Sequence, residues 1–300
     1  RMQKKEREWS RMIAESTQAN YLKLGIRPEN LRIKAGCEVR VELSVTEEEI
    51  VEFLSEVGEV WIRSFSNGAG INRLVVFPDE GSDWRHTGVI TETAGLLFEP
   101  SQWRNVWAVQ RNDTSGSKSF FLDVAGREGL VQQFELTPRS KFEAFQNLVT
   151  QYQTDGNLRA SGESTSGGGF LEFIEERWRK TLSPGNGARR VDRTAVPDFI
   201  LQLVRANAAF RITILNSAVK QTANVRISKC RVLGSEIMLE DADFLFEWDN
   251  ACVDEAWMVQ CGCNCGDEIL ELYDPHKRLV ASMALQGLPP SISHLLPALN

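Results

Sequence analysis

What this chain lacks narrows its function first. No fully apolar run is longer than a few residues, Leu74-Val75-Val76-Phe77 being representative, against the ~20 needed to cross a bilayer as a helix. The phosphate-binding patterns G-x-x-x-x-G-K-[ST] and G-x-G-x-x-G do not occur, and neither does a G-x-S-x-G elbow or an H-E-x-x-H pair. There is no basic excess: 34 Lys and Arg stand against 41 Asp and Glu, for a net charge of −7. That balance argues against a generic nucleic-acid binder. The local basic patch Arg177, Arg179, Lys180, Arg189 and Arg190 reads as a solvated helix and loop. Six cysteines in 300 residues do not make a secreted disulfide framework. The start, Arg1-Met2-Gln3-Lys4-Lys5-Glu6, is basic, but no apolar signal core follows. A reduced, cytoplasmic setting without membrane insertion is therefore the expectation.

What is present is ordinary globular composition, 42% hydrophobic and 25% charged, in a length that suits one large domain or two smaller ones. An internal repeat decides between them. Val106-Trp107-Ala108-Val109-Gln110 returns as Ala256-Trp257-Met258-Val259-Gln260, and Phe120-Phe121-Leu122-Asp123 matches Glu271-Leu272-Tyr273-Asp274. Upstream, Glu52-Phe53-Leu54 resembles Asp198-Phe199-Ile200, and Trp61–Asn67 resembles Phe210–Asn216. In one order and at nearly one spacing, these matches predict two copies of one module over residues 46–150 and 195–290. On this reading residues 1–153 hold an N-terminal helical segment and the first repeat. The Gly/Ser-rich stretch 154–169 is a flexible linker. Residues 170–300 hold a connecting helix, the second repeat and a tail.

Each copy opens on a short helix. In the first, Thr46 and Glu49 form a capping-box pattern before Ile50, Phe53 and Leu54. Strand-like runs follow at 59–66, 71–77, 86–91, 104–111 and 118–124, then a helix for which Thr137 is the candidate N-cap. The second copy has strand-like runs at 210–215, 222–228, 231–239, 255–260 and 268–274. Runs of strands with segregated helices predict an α+β fold with mainly antiparallel sheets. If the repeat is exact in space, Trp107 superposes on Trp257 and Asp123 on Asp274.

The ordered set of residues resembles a family. Glu255-Ala256-Trp257-Met258-Val259, Glu271-Leu272-Tyr273-Asp274 and Arg278-Leu279-Val280-Ala281 are similar to segments of HemS-type haem-trafficking and hemin-degrading proteins. Leu54–Val60, Ser101-Gln102-Trp103, Phe134-Glu135-Leu136-Thr137 and Leu24–Leu31 extend the resemblance over most of the chain. It implies a tandem duplication of an antiparallel-sheet module with flanking helices, as two stacked sheets. It also implies haem, or a related tetrapyrrole, in a cleft between the helix after the linker and the second sheet. The partners implied are a haem oxygenase or an electron donor, in haem utilisation and iron acquisition.

The chain departs from that pattern at the site itself. Haem iron takes His, Cys thiolate, Met or Tyr as an axial ligand. Where the family places a histidine on the helix after the linker, the best register puts Leu171. The basic pair that opens the family's last hairpin is replaced by Gln260-Cys261-Gly262-Cys263-Asn264-Cys265. Of the histidines, His276 falls in a turn and His294 in the tail, which leaves His86, beside Trp84 and Arg85, as the substitute-ligand candidate. Arg104 and Arg179 are the candidate cofactor contacts. Three readings follow: a haem-handling protein with an altered site, a non-enzymatic interaction protein on the same scaffold, or a thiolate metal or redox protein. The last would use Cys261, Cys263 and Cys265, which share one face if they lie in a strand, with Cys252 or Cys230 as a fourth ligand. The glycines and asparagine between them favour a hairpin turn with free thiols.

Overall fold

A computed structural model describes residues 38–77, 89–90, 95–113, 115, 117–154, 170–182, 187–260, 267–286 and 296. It divides into two compact units that interleave along the chain: 1–62, 75–85 and 100–165 form the first, and 63–74, 86–99 and 166–300 the second.

In the first unit, β1 (Glu38–Leu43), β6 (Asn105–Asn112), β7 (Lys118–Gly126) and β8 (Gly129–Leu136) lie side by side in that order. Helices α1 (Glu47–Val57) and α2 (Phe142–Tyr152) bury their apolar stripes with this sheet's Val39, Val41, Ala108, Leu122 and Phe134. The centre is aromatic: Phe53 meets Phe145 at 6.2 Å, and Phe120 meets Phe142 at 4.8 Å. The α1 start is the capping box read from sequence: Thr46 Oγ1 accepts the Glu49 amide, and the Glu49 carboxylate accepts the Thr46 amide. Gly58, at φ +79°, ends the helix in a conformation that side chains disfavour. Thr137 does not cap α2, which begins after Lys141. Its hydroxyl donates instead to Glu59 Oε1 (2.7 Å) and accepts the Arg139 amide within a turn.

The second unit holds an eight-stranded sheet. Its order is β4 (Val89–Ile90), β5 (Leu96–Phe98), β11 (Val219–Arg226), β10 (Ala209–Leu215), β17 (Leu279–Gln286), β16 (Glu268–Tyr273), β15 (Glu255–Gln260), β9 (Arg189–Val191). It also holds most of β3 (Ala69–Val76), paired with β14 (Phe244–Asp249), then β13 (Glu236–Asp241) and β12 (Lys229–Leu233). β2 (Glu59–Ser66) leads from the first unit into this one. Helix α4 (Val196–Arg205) places Phe199, Ile200 and Leu203 in a core with Phe210, Ile212, Ile237, Phe246 and Trp248. Helix α3 (Phe170–Thr181) precedes β9. Among the described residues, the strand pairs β1–β6, β6–β7, β7–β8, β3–β14, β13–β14, β12–β13, β4–β5, β5–β11, β10–β11, β10–β17, β16–β17, β15–β16 and β9–β15 are all antiparallel.

The order helix, two strands, short 3-10 turn, three strands occurs twice: α1, β2, β3 … β6, β7, β8 and α4, β10, β11 … β15, β16, β17. The register, however, corrects one expected equivalence. Trp107 faces Asp123 across β6–β7, and Trp257 faces Glu271 across β15–β16. A register shift then falls between Val124 and Ala125 in the first unit and between Leu272 and Tyr273 in the second. Glu271, not Asp274, thus stands where Asp123 stands. The shared Asp in the two sequences lies three positions off because the hairpin lengths differ.

Candidate functional site

The polar chemistry of the second unit concentrates where α3 meets the sheet. Ile174, Arg177, Trp178 and Thr181 repeat at helical spacing and form one stripe. On the sheet, Arg190, Trp257 and Glu271 are direct cross-strand partners, as are Glu255 and Tyr273. Direct partners and alternate residues of a strand share a face. Arg190, Glu255, Trp257, Glu271 and Tyr273 therefore point one way, and the stripe of α3 settles on them.

Glu271, only 2% exposed, is the centre of this contact. Arg177 reaches its Oε1 with two nitrogens, Nε at 2.8 Å and the nearer Nη2. Its Oε2 accepts from the Tyr273 hydroxyl (2.5 Å) and the Thr181 hydroxyl (2.9 Å), and those two hydroxyl oxygens lie 3.0 Å apart. Every acceptor position of the carboxylate is filled, as burial of a charge demands. Burial and the adjacent Glu271 charge push the Tyr273 phenol well above the ordinary tyrosine range, so it stays a neutral donor. For Arg177, burial works against its charge, but the bonds to Glu271 outweigh it and hold the guanidinium more firmly protonated.

A second carboxylate sits beside the first. Glu255 Oε2 accepts from the indoles of Trp178 (2.7 Å) and Trp257 (3.0 Å). Its Oε1 accepts from Lys277 Nζ (2.9 Å) and lies 3.4 Å from Arg190. Lys277 also binds Asp254 at 2.8 Å and stands 5.6 Å from the Trp178 ring centre. Burial alone would raise the Glu255 carboxyl; the bonds from Lys277, Trp178 and Trp257 prevail and bring it down to about 2.

The basic patch expected to be a solvated face is so only in part: Arg179, Lys180 and Arg190 are exposed, yet Arg177 meets Glu271, Arg190 meets Glu255, Lys180 meets Glu176 and Arg189 meets Glu268. Trp178 and Trp257 are anchored at the sheet face by their indole N–H groups and are not plain core residues. Sequence reading missed Glu255, Glu271 and Lys277 as site members. The ELYD…RLVA segment is mainly a folding device. Buried Asp274 accepts the His276 and Arg278 amides, the Arg278 guanidinium and the Asn67 amide group, which fixes the last hairpin.

Arg104 is exposed in the first unit, its amide donating to Ala125 O, and Arg179 is exposed on α3. His86, His294, Cys261, Cys263 and Cys265 lie outside the described residues. Cys230 and Cys252 are half-buried free thiols. Cys252 Sγ lies 3.6 Å from Asp249 Oδ2, and among the described residues no cluster suited to a metal ion occurs. Among them, too, no helix is long and apolar enough to cross a membrane.

No protein-family model matches this sequence, and no curated protein matches it. Solved structures do. The haem-bound form of PhuS, a heme-binding protein from Pseudomonas aeruginosa, matches with a TM-score of 0.70 over 98% of both chains at 16% identity. Its haem-free form matches at 0.67. ChuS, a heme degrading enzyme of Escherichia coli O157:H7, matches at 0.67 over 89% of this chain and 87% of its own, at 15% identity. This chain has their fold.

Haem can be tested directly against the residues of α3. The sequence Phe170-Leu171-Glu172-Phe173-Ile174-Glu175-Glu176-Arg177-Trp178-Arg179-Lys180-Thr181 holds no His, Cys, Met or Tyr. The Tyr273 phenol is held neutral by its burial and by Glu271. The α3 face does not fit a haem whose iron is ligated from this helix.

Proposed function

We propose that this protein handles haem or a related tetrapyrrole on the PhuS and ChuS fold, with an altered site that does not take iron through α3. The observation that carries this reading is the fold match to haem-bound PhuS over 98% of both chains. The absence of an iron ligand on α3 supports the alteration. On this reading the ring system and its carboxylates supply the affinity, and the metal contributes little. Titration of the purified protein with ferric haem and with metal-free protoporphyrin IX is the test. Dissociation constants within about threefold of each other are the expected outcome, since a coordination bond would separate them by far more. Iron-dependent binding, at least tenfold tighter for haem, refutes the altered site; no binding of either compound refutes haem handling.

A second reading, an interaction protein that has given up haem, is favoured by one observation. Arg177 and Lys277, the cations that α3 and the last hairpin bring to this face, are already neutralised by Glu271, Glu255 and Asp254. Failure of both porphyrins to bind is the outcome this reading requires.

A further inference from the structure

This inference rests on the haem-handling reading and concerns how that site is controlled. A tetrapyrrole of the haem type carries carboxylates. The receptor best suited to a carboxylate is a guanidinium fork, which offers two parallel N–H donors. Arg177 is such a fork on the face of α3 that meets the sheet, and both of its prongs, Nε and Nη2, already donate to one oxygen, Oε1, of Glu271. The partner is an internal carboxylate with the same chemistry as the ligand's own. The same Glu271 also takes the hydroxyls of Thr181, at the end of α3, and of Tyr273, on β16. One side chain thus ties α3 to the sheet and fills the fork a ligand would use.

We infer that Glu271 is an autoinhibitory competitor: it occupies Arg177, holds α3 down on the sheet, and must surrender that arginine before a ligand carboxylate can take it. Tyr273 and Thr181 make the exchange feasible, because both can go on donating to Glu271 Oε2 after Arg177 has left Oε1. Without an iron ligand on α3, no coordination bond from that helix offsets the exchange. The carboxylate contest therefore sets the affinity.

The inference predicts a gain from a loss. Glu271→Gln removes the competing charge, keeps the shape and leaves an acceptor for Tyr273. It is expected to tighten both ferric haem and metal-free protoporphyrin IX at least fivefold, read by quenching of tryptophan fluorescence. Amide exchange over residues 170–181 should quicken in the unliganded variant. Glu247→Gln, at an exposed carboxylate on β14, makes the same change in net charge and should alter affinity by less than twofold. Arg177→Gln should weaken binding, and the Glu271→Gln/Arg177→Gln double variant should show no gain over it. Should Glu271→Gln fail to fold, Glu271→Asp draws the carboxylate back from the fork and carries the test with a smaller gain. Unchanged or weaker binding in the Glu271 variants overturns the competitor while leaving haem handling in place. An equal gain in Glu247→Gln, or a gain that survives loss of Arg177, overturns it as well. If no form of the protein binds either porphyrin, the haem-handling reading falls, and the inference falls with it.

Discussion

Two rows of four residues, one in each unit, occupy the same register and solve the same electrostatic problem differently. In the first unit Glu42, Trp107, Asp123 and Gln133 run across four neighbouring strands. In the second the row is Arg190, Trp257, Glu271 and Ser282. Each row buries a carboxylate beside a tryptophan. Glu271 has a guanidinium and two hydroxyls. Asp123, fully buried, has the Gln133 amide on Oδ1 at 2.7 Å, Arg40 at 3.8 Å and, among the described residues, no hydrogen bond on Oδ2. Arg40 lies instead over the Trp107 ring, 5.5 Å from its centre. Burial prevails over these weak partners and raises the Asp123 carboxyl above the ordinary aspartate range. A β-strand position thus fixes that a carboxylate is buried; whether it stays comfortably ionised depends on what the covering element brings to it.

The sharpest way to break the contrast is to strip Glu271 of its cation. Arg177→Met leaves a buried carboxylate with two neutral donors. Removing one partner of a buried ion pair costs about 3–5 kcal/mol. The expected outcome is a loss near the lower end, because a quarter of the Arg177 side chain is exposed and α3 can lift locally. Urea unfolding gives the loss, and hydrogen exchange shows whether it is confined to residues 170–181. A change below about 1 kcal/mol, with α3 still protected, would show that the hydroxyls of Thr181 and Tyr273 suffice.

Glu255 gives the next effect, with a definite pH dependence. Its folded-state pKa lies at about 2, below the ordinary glutamate value of 4.5. A depressed carboxylate contributes stability that is complete above the unfolded value and is lost as pH falls through the folded one. Lys277→Met removes the leading charged partner. At pH 7 the cost should be roughly 1–2 kcal/mol, moderated because a third of the Lys277 side chain is exposed. The gap between wild type and variant should narrow from pH 4.5 downward and close near pH 2. A gap that is constant with pH would assign the effect to packing of Lys277 on Trp178.

How much of this was legible beforehand follows the range of the interactions. The α1 cap was readable because Thr46 and Glu49 are three residues apart and the capping box is a local pattern. Most strands showed through alternation, although 231–239 proved to be two strands broken at Gly234, and β1, β5, β8, β9 and β14 went unread. β7 is buried over most of its length, so alternation is lost there and its register could not be read. The α3 contact was illegible for a different reason. Arg177 and Glu271 lie 94 residues apart, and a basic run near a linker looks solvated until the strand that neutralises it is in place. Family resemblance singled out this helix and this sheet as the walls of the expected cleft. It could not show that the helix comes down on carboxylates.

The smallest effect is the most discriminating, since it should have the opposite sign from its counterpart. Asp123→Asn keeps an acceptor toward Gln133 and removes a charge whose other oxygen has no donor among the described residues. A buried charge without full pairing is a cost, and replacing it with a neutral isostere releases that cost. The variant should be as stable as wild type at pH 7, or more stable by up to about 1 kcal/mol. Here the linkage reverses, because burial raises the folded-state pKa above the ordinary aspartate value of 3.8. Folding then favours the protonated acid, so the penalty is absent below the unfolded pKa and grows as pH rises through the folded one. Wild type should gain on Asp123→Asn as pH falls from 7 toward 4, while it loses its advantage over Lys277→Met between 4.5 and 2. Loss of more than 1 kcal/mol in Asp123→Asn at pH 7 would mean that Arg40, despite its 3.8 Å separation, holds this carboxylate as firmly as Arg177 holds Glu271. The two rows would then be alike in chemistry as well as in register.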